Sequence, residues 1–161
     1  MQSDSSSENL QTGTADIGLR LHHVSHAVAD LDAAVQRYVQ RFGYRVATPA
    51  IHDPGQTAHV QFLRLALDIV YLELVAPDGP ASKLTNAVKR GGGLNHLCYT
   101  CGLMEAAIKT LEASGMKLIA EPQPGVAFGG RRICWLLGQE PVPIELVERR
   151  DENDPCTPGL L

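Results

Sequence analysis

Hydrophobic and polar residues first alternate over a short segment and then recur at helical spacing. The segment at 21–28, LHHVSHAV, mixes both kinds as a strand with one buried face does. The next apolar positions are spaced for one face of a helix: Leu31, Ala34, Val35, Tyr38, Val39 and Phe42. Asp30 is the predicted N-cap of this helix, and Gly43 is its predicted end. The chain is therefore predicted to open with a strand and an amphipathic helix.

Three more strands are predicted after this helix, near 44–47, 59–66 and 69–76. A Pro- and Gly-containing loop, TPAIHDPGQ, separates the first two, and Leu67 and Asp68 form the turn before the third. A short helix at 82–89 then leads to three consecutive glycines at 91–93, which we interpret as a linker.

The same order of elements begins again after the glycines. LNHLCYTC at 94–101 is a predicted strand, and the helix after it ends near Gly115. The apolar face of that helix consists of Met104, Ala107, Ile108 and Leu111. Three further strands are predicted in MKLIA, RRICWLL and VPIELVE.

The two halves align as an internal repeat. His96 follows His23 by 73 positions, and Glu145 follows Glu73 by 72 positions. Each half carries the His in its first strand and the Glu in its last. We predict an α+β fold of two tandem βαβββ modules that form a half-open barrel cleft. The modules span 19–90, including the linker helix, and 91–149, between a disordered tail at 1–18 and an irregular tail at 150–161.

A pseudo-twofold axis between the modules would bring His23, Glu73, His96 and Glu145 into one cleft. Imidazole nitrogens and carboxylate oxygens suit one divalent ion such as Zn, Co, Ni, Mn or Fe. Taken singly, each residue has an ordinary explanation, since a strand Glu usually faces solvent and a strand His is usually a satisfied polar residue. Their shared position in the repeat favours the metal site.

Two other histidines compete with His23 for this role. Strict alternation along a strand places His22 and His26 on the face opposite His23. Only His23 aligns with His96, so His23 is the predicted ligand.

Composition narrows the classes of function. The chain has 161 residues, 44% of them hydrophobic, and a formal net charge of −4, as an ordinary soluble domain has. No basic patch indicates nucleic acid, and no apolar run is long enough to span a membrane. The polar N-terminal segment lacks the apolar stretch of a secretory signal, so we expect a cytoplasmic protein with free thiols. Cys98 and Cys101 form C-x-x-C, but three positions apart on a strand they face opposite sides.

Four segments resemble the vicinal oxygen chelate superfamily, which includes glyoxalase I, bleomycin-resistance proteins, extradiol dioxygenases and methylmalonyl-CoA epimerase. They are LHHVSHAVADLDAA, LELVAPDGP, GGGLNHLCYTC and PIELVE, and the likeness covers about 20–148. The order of these segments is most similar to the methylmalonyl-CoA epimerase branch. The resemblance implies a cup around one metal ion, with His23, Glu73, His96 and Glu145 as ligands, and a homodimer.

The resemblance also implies an isomerase that stabilises the enolate of a small-molecule carbonyl substrate, such as an acyl-CoA or acyl-carrier thioester. Glu145 is the implied first catalytic base. The family's second glutamate is missing from the loop, where Pro49 stands instead. We take His52 as its catalytic substitute, with Asp53 and His59 as alternatives. Another enzyme of the superfamily, a lyase or Fe(II) dioxygenase, or a metal-free binding module, stays open.

Basic residues suggest contacts to a charged substrate. Arg131 and Arg132 could bind a carboxylate or phosphate, or could be the solvated start of a strand. Lys83 and Lys89 could meet a coenzyme phosphate.

Overall fold

The computed structural model describes residues 17–159, so nearly all of the expected tail at 1–18 lies outside the described residues. The elements in chain order are β1 (Arg20–Ala27), α1 (Leu31–Phe42), β2 (Arg45–Val46), β3 (Ile51–Asp53), β4 (Ala58–Arg64), β5 (Tyr71–Pro77), α2 (Thr85–Lys89), β6 (Gly93–Cys101), α3 (Met104–Ala113), β7 (Lys117–Pro124), β8 (Arg132–Leu137) and β9 (Ile144–Glu148). Within 17–159, no helix is long and apolar enough to cross a membrane.

The repeat is visible in the order of the strands. Across the described part of the chain, the sheet runs β2-β4-β5-β1-β6-β9-β8-β7, and β3 pairs with β4. β1 and β6 are antiparallel at the centre, and each has a parallel neighbour, β5 on one side and β9 on the other. The predicted α+β fold of two tandem modules is therefore confirmed.

One strand was missed in the predicted loop at 48–56. β3 lies inside that loop and pairs with the same strand, β4, as β2 does. The two short strands together take the place of one longer strand, interrupted at 47–50. Pro49 lies in the interruption, where a residue without a backbone N–H cannot continue the ladder.

The caps of α1 are those that the sequence predicted. The Asp30 carboxylate accepts the backbone N–H of Ala33, and Gly43 ends the helix in the left-handed conformation, at φ 74°. Helix α1 packs on Leu72 and Leu74 of β5, and α3 packs in the same way on the second module. The two helices therefore cover one face of the sheet in each module.

The opposite face of the same strands carries a third apolar cluster. In β5, Tyr71 and Val75 belong to this cluster, whereas Leu72 and Leu74 belong to the cluster under α1. Glu73 lies between Tyr71 and Val75 on the face away from the helix. Both faces of β5 are thus buried. Glu73 therefore does not face solvent, although a single Glu in an apolar strand usually does.

Residues 150–159 contain no helix or strand, but they pack closely against the loop at 125–131. The Arg131 guanidinium donates two hydrogen bonds to Asp154, at 2.7 and 2.8 Å. The Asp154 carboxylate also accepts the backbone N–H groups of Arg150 and Cys156. Arg131 therefore ties this segment to the fold, and it is not free to bind a substrate. Arg132 is also paired, with Glu105 and Glu148.

All four cysteines are free and buried. Cys98 belongs to the cluster on the face away from the helices, and Cys101 belongs to the cluster under α3. The pair thus faces opposite sides, as the alternation along the strand predicts.

The Arg131–Asp154 pair gives the first testable prediction. Both side chains are largely buried, at 11% and 6% exposed, so Asp154→Asn should cost about 2 kcal/mol of unfolding free energy at neutral pH. Hydrogen bonds from Arg131 hold the pKa of Asp154 below its usual range. Its contribution is therefore present above the unfolded-state pKa of about 3.9 and is lost as the pH falls through the folded-state value.

Urea unfolding at about pH 7 and about pH 3 measures this difference. The gap between wild type and Asp154→Asn should narrow at the lower pH. Glu152→Gln, an exposed carboxylate in the same segment, is the matched control and should leave stability unchanged. Equal stability of wild type and Asp154→Asn at neutral pH would contradict the role assigned to the pair.

Candidate metal centre

The four residues predicted as ligands meet at one point in the structure. His23 Nε2 lies 3.0 Å from His96 Nε2. It also lies 3.5 Å from Glu73 Oε2 and 3.4 Å from Glu145 Oε2. His96 Nε2 lies 3.3 Å from Glu73 Oε2 and 3.4 Å from Glu145 Oε2. Each imidazole thus points its Nε2 atom at both carboxylates and at the other imidazole.

The strand register explains this convergence. Glu73 on β5 pairs with Ser25, which is two residues after His23 on β1. Glu145 on β9 pairs with Cys98, which is two residues after His96 on β6. Each Glu therefore has the same relation to its own His in both modules. Because β1 and β6 adjoin each other, the two His–Glu pairs face a common centre.

The cluster is closed to solvent. The exposed fraction is 0% for both histidines and 1% for both glutamates. Glu73 Oε2 and both carboxylate oxygens of Glu145 have no hydrogen-bond partner among the described residues. A buried carboxylate oxygen without a donor is costly, so these oxygens require a cation or a proton at the centre.

The pKa values of Glu73 and His96 are shifted because buried carboxylates and imidazoles lie next to each other. Burial alone would raise the pKa of Glu73, but the imidazoles of His23 and His96 lower it below its usual range. Burial alone would lower the pKa of His96, but the carboxylates of Glu145 and Glu73 raise it. Each shift favours positive charge between two carboxylates.

The donor atoms fit a divalent metal ion. Ligands about 2.0–2.1 Å from one ion lie about 2.8–3.0 Å apart at adjacent positions of an octahedron and about 3.3–3.4 Å apart in a tetrahedron. The two His Nε2 atoms lie 3.0 Å apart, and each lies 3.3 to 3.5 Å from the Glu Oε2 atoms, close to that spacing. The possible ligand atoms of His23, His96 and Glu145 all lie within 4.8 Å of one another. Imidazole and carboxylate ligands suit Zn, Co, Ni, Mn and Fe alike. The chemistry of the set therefore fits such an ion without selecting one.

Aromatic side chains surround the histidine rings. The His23 ring stacks on Phe128 at 6.0 Å between centroids, and Phe62 meets its edge at 5.3 Å. Trp135 meets the His96 ring edge-on at 4.7 Å. These contacts fix the rings and exclude water, which strengthens electrostatic interactions at the centre.

A cavity of about 360 Å³ adjoins the cluster through Trp135, which lines it. Its other lining includes Asp53, Gln56 and Lys83, together with apolar residues such as Ile119 and Ile133. Lys83 directs its ammonium to the carbonyl of Gly55, at 2.9 Å. The cavity thus joins a mostly apolar wall to a few polar groups, as small-molecule sites generally do.

The structure does not bring the predicted catalytic residue His52 to this cluster. His52 lies on β3 with its side chain 51% exposed, and its Nε2 atom is 3.0 Å from Asp78 Oδ2. Its neighbours Ile51 and Asp53 are buried, at 2% and 4% exposed. The segment is a strand and not the predicted loop, so its side chains alternate, and Asp53 faces the interior. Of the alternatives, His59 contacts His52 on the outer face, with 4.8 Å between the ring centroids and the ring planes tilted by 32°.

The position expected for His22 is also wrong. His22 is 4% exposed, and its Nδ1 atom lies 2.8 Å from Nδ1 of His23. The strict alternation of faces fails because β1 has a register shift between Leu21 and His23. Burial, together with the adjacent His23, lowers the pKa of His22 to about 3. His26, by contrast, bonds to the hydroxyl of Tyr38, away from the centre.

Comparison with known proteins places this chain in a family. Residues 22–135 match the model of the Glyoxalase/Bleomycin resistance protein/Dioxygenase superfamily. The mitochondrial methylmalonyl-CoA epimerase of Dictyostelium discoideum is 30% identical over 127 residues, which is 77% of this chain and 73% of that protein. The ethylmalonyl-CoA/methylmalonyl-CoA epimerase of Cereibacter sphaeroides is 29% identical over 119 residues, 73% of this chain and 87% of that protein.

Solved structures agree with these matches. The methylmalonyl-CoA epimerase of Mycobacterium tuberculosis superposes with a TM-score of 0.71 at 26% identity, covering 90% of this chain and 95% of that one. A methylmalonyl-CoA epimerase in complex with methylmalonyl-CoA and NH4+ superposes with a TM-score of 0.67 at 25% identity, covering 80% and 93%. The chain therefore belongs to the Glyoxalase/Bleomycin resistance protein/Dioxygenase superfamily, and its relatives there include methylmalonyl-CoA epimerases, which are isomerases.

Proposed function

We propose that this protein is a divalent-metal-dependent epimerase that acts on the carbon next to the carbonyl of an acyl thioester. The observation that carries the proposal is the buried set of two imidazoles and two carboxylates, three of whose oxygens have no hydrogen-bond donor in the described chain. The relatives named methylmalonyl-CoA epimerases support this choice of substrate class.

His23, Glu73, His96 and Glu145 would hold the ion. A bound divalent cation would supply a Lewis acid, which lowers the cost of negative charge on a carbonyl oxygen beside the carbon that loses a proton. The fourth ligand, Glu73, distinguishes this set from the two-histidine, one-carboxylate set of Fe(II) oxygenases.

Glu145 is the proposed first base. Its Oε2 atom faces both imidazoles, and its Oε1 atom is buried without a hydrogen-bond partner among the described residues. Oε1 is therefore able to accept a proton in a site from which water is excluded. Because the ring contacts with Phe62, Phe128 and Trp135 keep the histidines in place, the Glu145 carboxylate is held relative to the cavity.

Epimerisation needs a second group that returns the proton to the opposite face of the carbon. Asp53 is the proposed second group, in place of the outward-facing His52. It is 4% exposed, and it lines the cavity. Two N–H donors of Gln56, one from the backbone and one from the side chain, hold its carboxylate at 3.2 Å each.

The cavity suits the acyl end of a substrate. Its volume, about 360 Å³, lies at the small end for ligand sites, and the apolar wall at Ile119, Ile133 and Trp135 suits an alkyl substituent. Lys83 at the same cavity provides a positive charge for a substrate carboxylate or phosphate. A thioester of a branched dicarboxylic acid has both an alkyl group for the apolar wall and a carboxylate for Lys83.

Hydrogen–deuterium exchange tests the proposed reaction. In heavy water, the cobalt-loaded protein should catalyse the incorporation of deuterium at the α-carbon of methylmalonyl-CoA. Mass spectrometry of the thioester measures the rate. Glu145→Gln should lower the rate by at least about 100-fold, because it removes the base. Metal content measured on the same samples separates loss of the base from loss of the ion. A wild type that holds metal and catalyses no exchange would rule out this substrate.

The assignment of the second group has its own test. Asp53→Asn should reduce interconversion of the two stereoisomers by about 100-fold while deuterium exchange persists for one of them, since Glu145 remains. His52→Gln is the paired variant and should behave as wild type in both assays. Chiral analysis of the product thioester gives the measurement. Loss of inversion in His52→Gln with normal inversion in Asp53→Asn would return the role to His52.

A further inference from the structure

We propose that His22 and Asn95 form a duplicated outer layer of the metal centre. His22 fixes His23 with hydrogen on Nδ1 and a bare Nε2, and Asn95 supports the same form of His96 when its carboxamide oxygen faces the ring. The inference rests on the metal site of the proposed function, and it assigns two further positioning residues to that site.

The two residues hold corresponding positions in the two modules. His22 directly precedes His23, and Asn95 directly precedes His96, 73 positions later. His22 Nδ1 is 2.8 Å from His23 Nδ1, and the Asn95 carboxamide nitrogen is 3.0 Å from His96 Nδ1. Each therefore contacts the ring nitrogen that points away from the centre.

Adjacent residues on a strand normally face opposite sides, but two β-bulges allow His22 and Asn95 to contact the ligand histidines that follow them. Along β1 and β6, Leu21 pairs with Tyr99 and His23 with Cys98, which leaves His22 as the extra residue on β1. Farther along, the shift between Ser25 and His26 leaves Asn95 as the extra residue on β6.

A bulge redirects a side chain, and bulges are frequent beside active sites. Here the two central strands each carry one, at the residue before the ligand His. The repeat has thus duplicated the backbone irregularity together with the ligand.

A chain of hydrogen bonds defines the tautomer of His23. His22 Nε2 lies 3.0 Å from the backbone carbonyl oxygen of Cys156. A carbonyl only accepts, so His22 carries its hydrogen on Nε2, and its bare Nδ1 accepts the Nδ1–H of His23. His23 Nε2 is then bare and faces the other three ligands. The segment at 150–159, through the carbonyl of the buried Cys156, therefore helps to set the metal-binding form of His23.

Asn95 acts on His96 in a more adaptable way. A carboxamide presents a donor on one side and an acceptor on the other. With its nitrogen toward the ring, as in this structure, it leaves hydrogen on Nε2 of His96. Turned by about 180°, it accepts the Nδ1–H and leaves Nε2 bare for an ion. Binding of an ion by His96 Nε2 therefore needs the carboxamide oxygen of Asn95 toward the ring, whereas His22 already presents a bare Nδ1.

Cobalt(II) affinity tests both residues, measured by competition with a chelating dye. His22→Phe keeps the aromatic packing and loses the relay, and Asn95→Ala loses the acceptor. Each should weaken binding by about 10–100-fold, the usual effect of removing such a partner. His22→Gln and Asn95→Asp retain acceptors for Nδ1–H, so each should stay within about threefold of wild type. His26→Gln, on the same strand but bonded to Tyr38, is the matched control with unchanged affinity.

The nitrogen-15 NMR spectrum of the zinc-loaded wild type gives a second measurement that needs no variant. His23 and His96 should both show hydrogen on Nδ1. Ligation through Nδ1, or unchanged cobalt affinity in His22→Phe and Asn95→Ala, would overturn the inference and leave the metal site standing. A wild type that binds no cobalt would remove the metal site itself, and the inference with it. If His22→Phe does not fold, the Asn95 pair of variants and the NMR spectrum decide.

Discussion

The burial of two carboxylates beside two imidazoles is the constraint on which the rest of the structure depends. Glu73 and Glu145 are 1% exposed, and three of their four oxygens lack a hydrogen-bond donor within 17–159. An unpaired buried anion costs several kcal/mol, so positive charge must be present between them. Protonated imidazoles meet this need in part, and a divalent ion at the proposed site would meet it more fully.

The sheet provides that geometry by repetition. β1 and β6 adjoin at the centre, and the parallel neighbour of each carries a glutamate two register positions from its own histidine. Helices α1 and α3 cover one face of the sheet, which leaves the other face for the aromatic residues around the centre. The segment at 150–159 completes the enclosure through Asp154 and the carbonyl of Cys156. The helices and the His–Glu cluster therefore occupy opposite faces of the same strands.

The sequence was sufficient for the fold and for the set of four converging residues, because both follow from an internal repeat with fixed spacing. It was insufficient where local backbone geometry breaks a periodic rule. His22 was placed on the wrong face because a bulge interrupts the alternation on β1. His52 was chosen because it lies near the position of the family's loop glutamate, but the expected loop is a strand, and β3 turns His52 outward and Asp53 inward. The contacts of residues 150–159 depend on distant partners such as Arg131, which no local pattern reveals.

Anomalous X-ray diffraction from cobalt-loaded crystals locates the ion itself and so tests whether the four side chains bind it. One strong peak is expected about 2.0–2.2 Å from His23 Nε2, His96 Nε2, and one oxygen each of Glu73 and Glu145. A cobalt-saturated crystal with its peak elsewhere, or with the four side chains turned apart around no ion, would contradict coordination by these four residues.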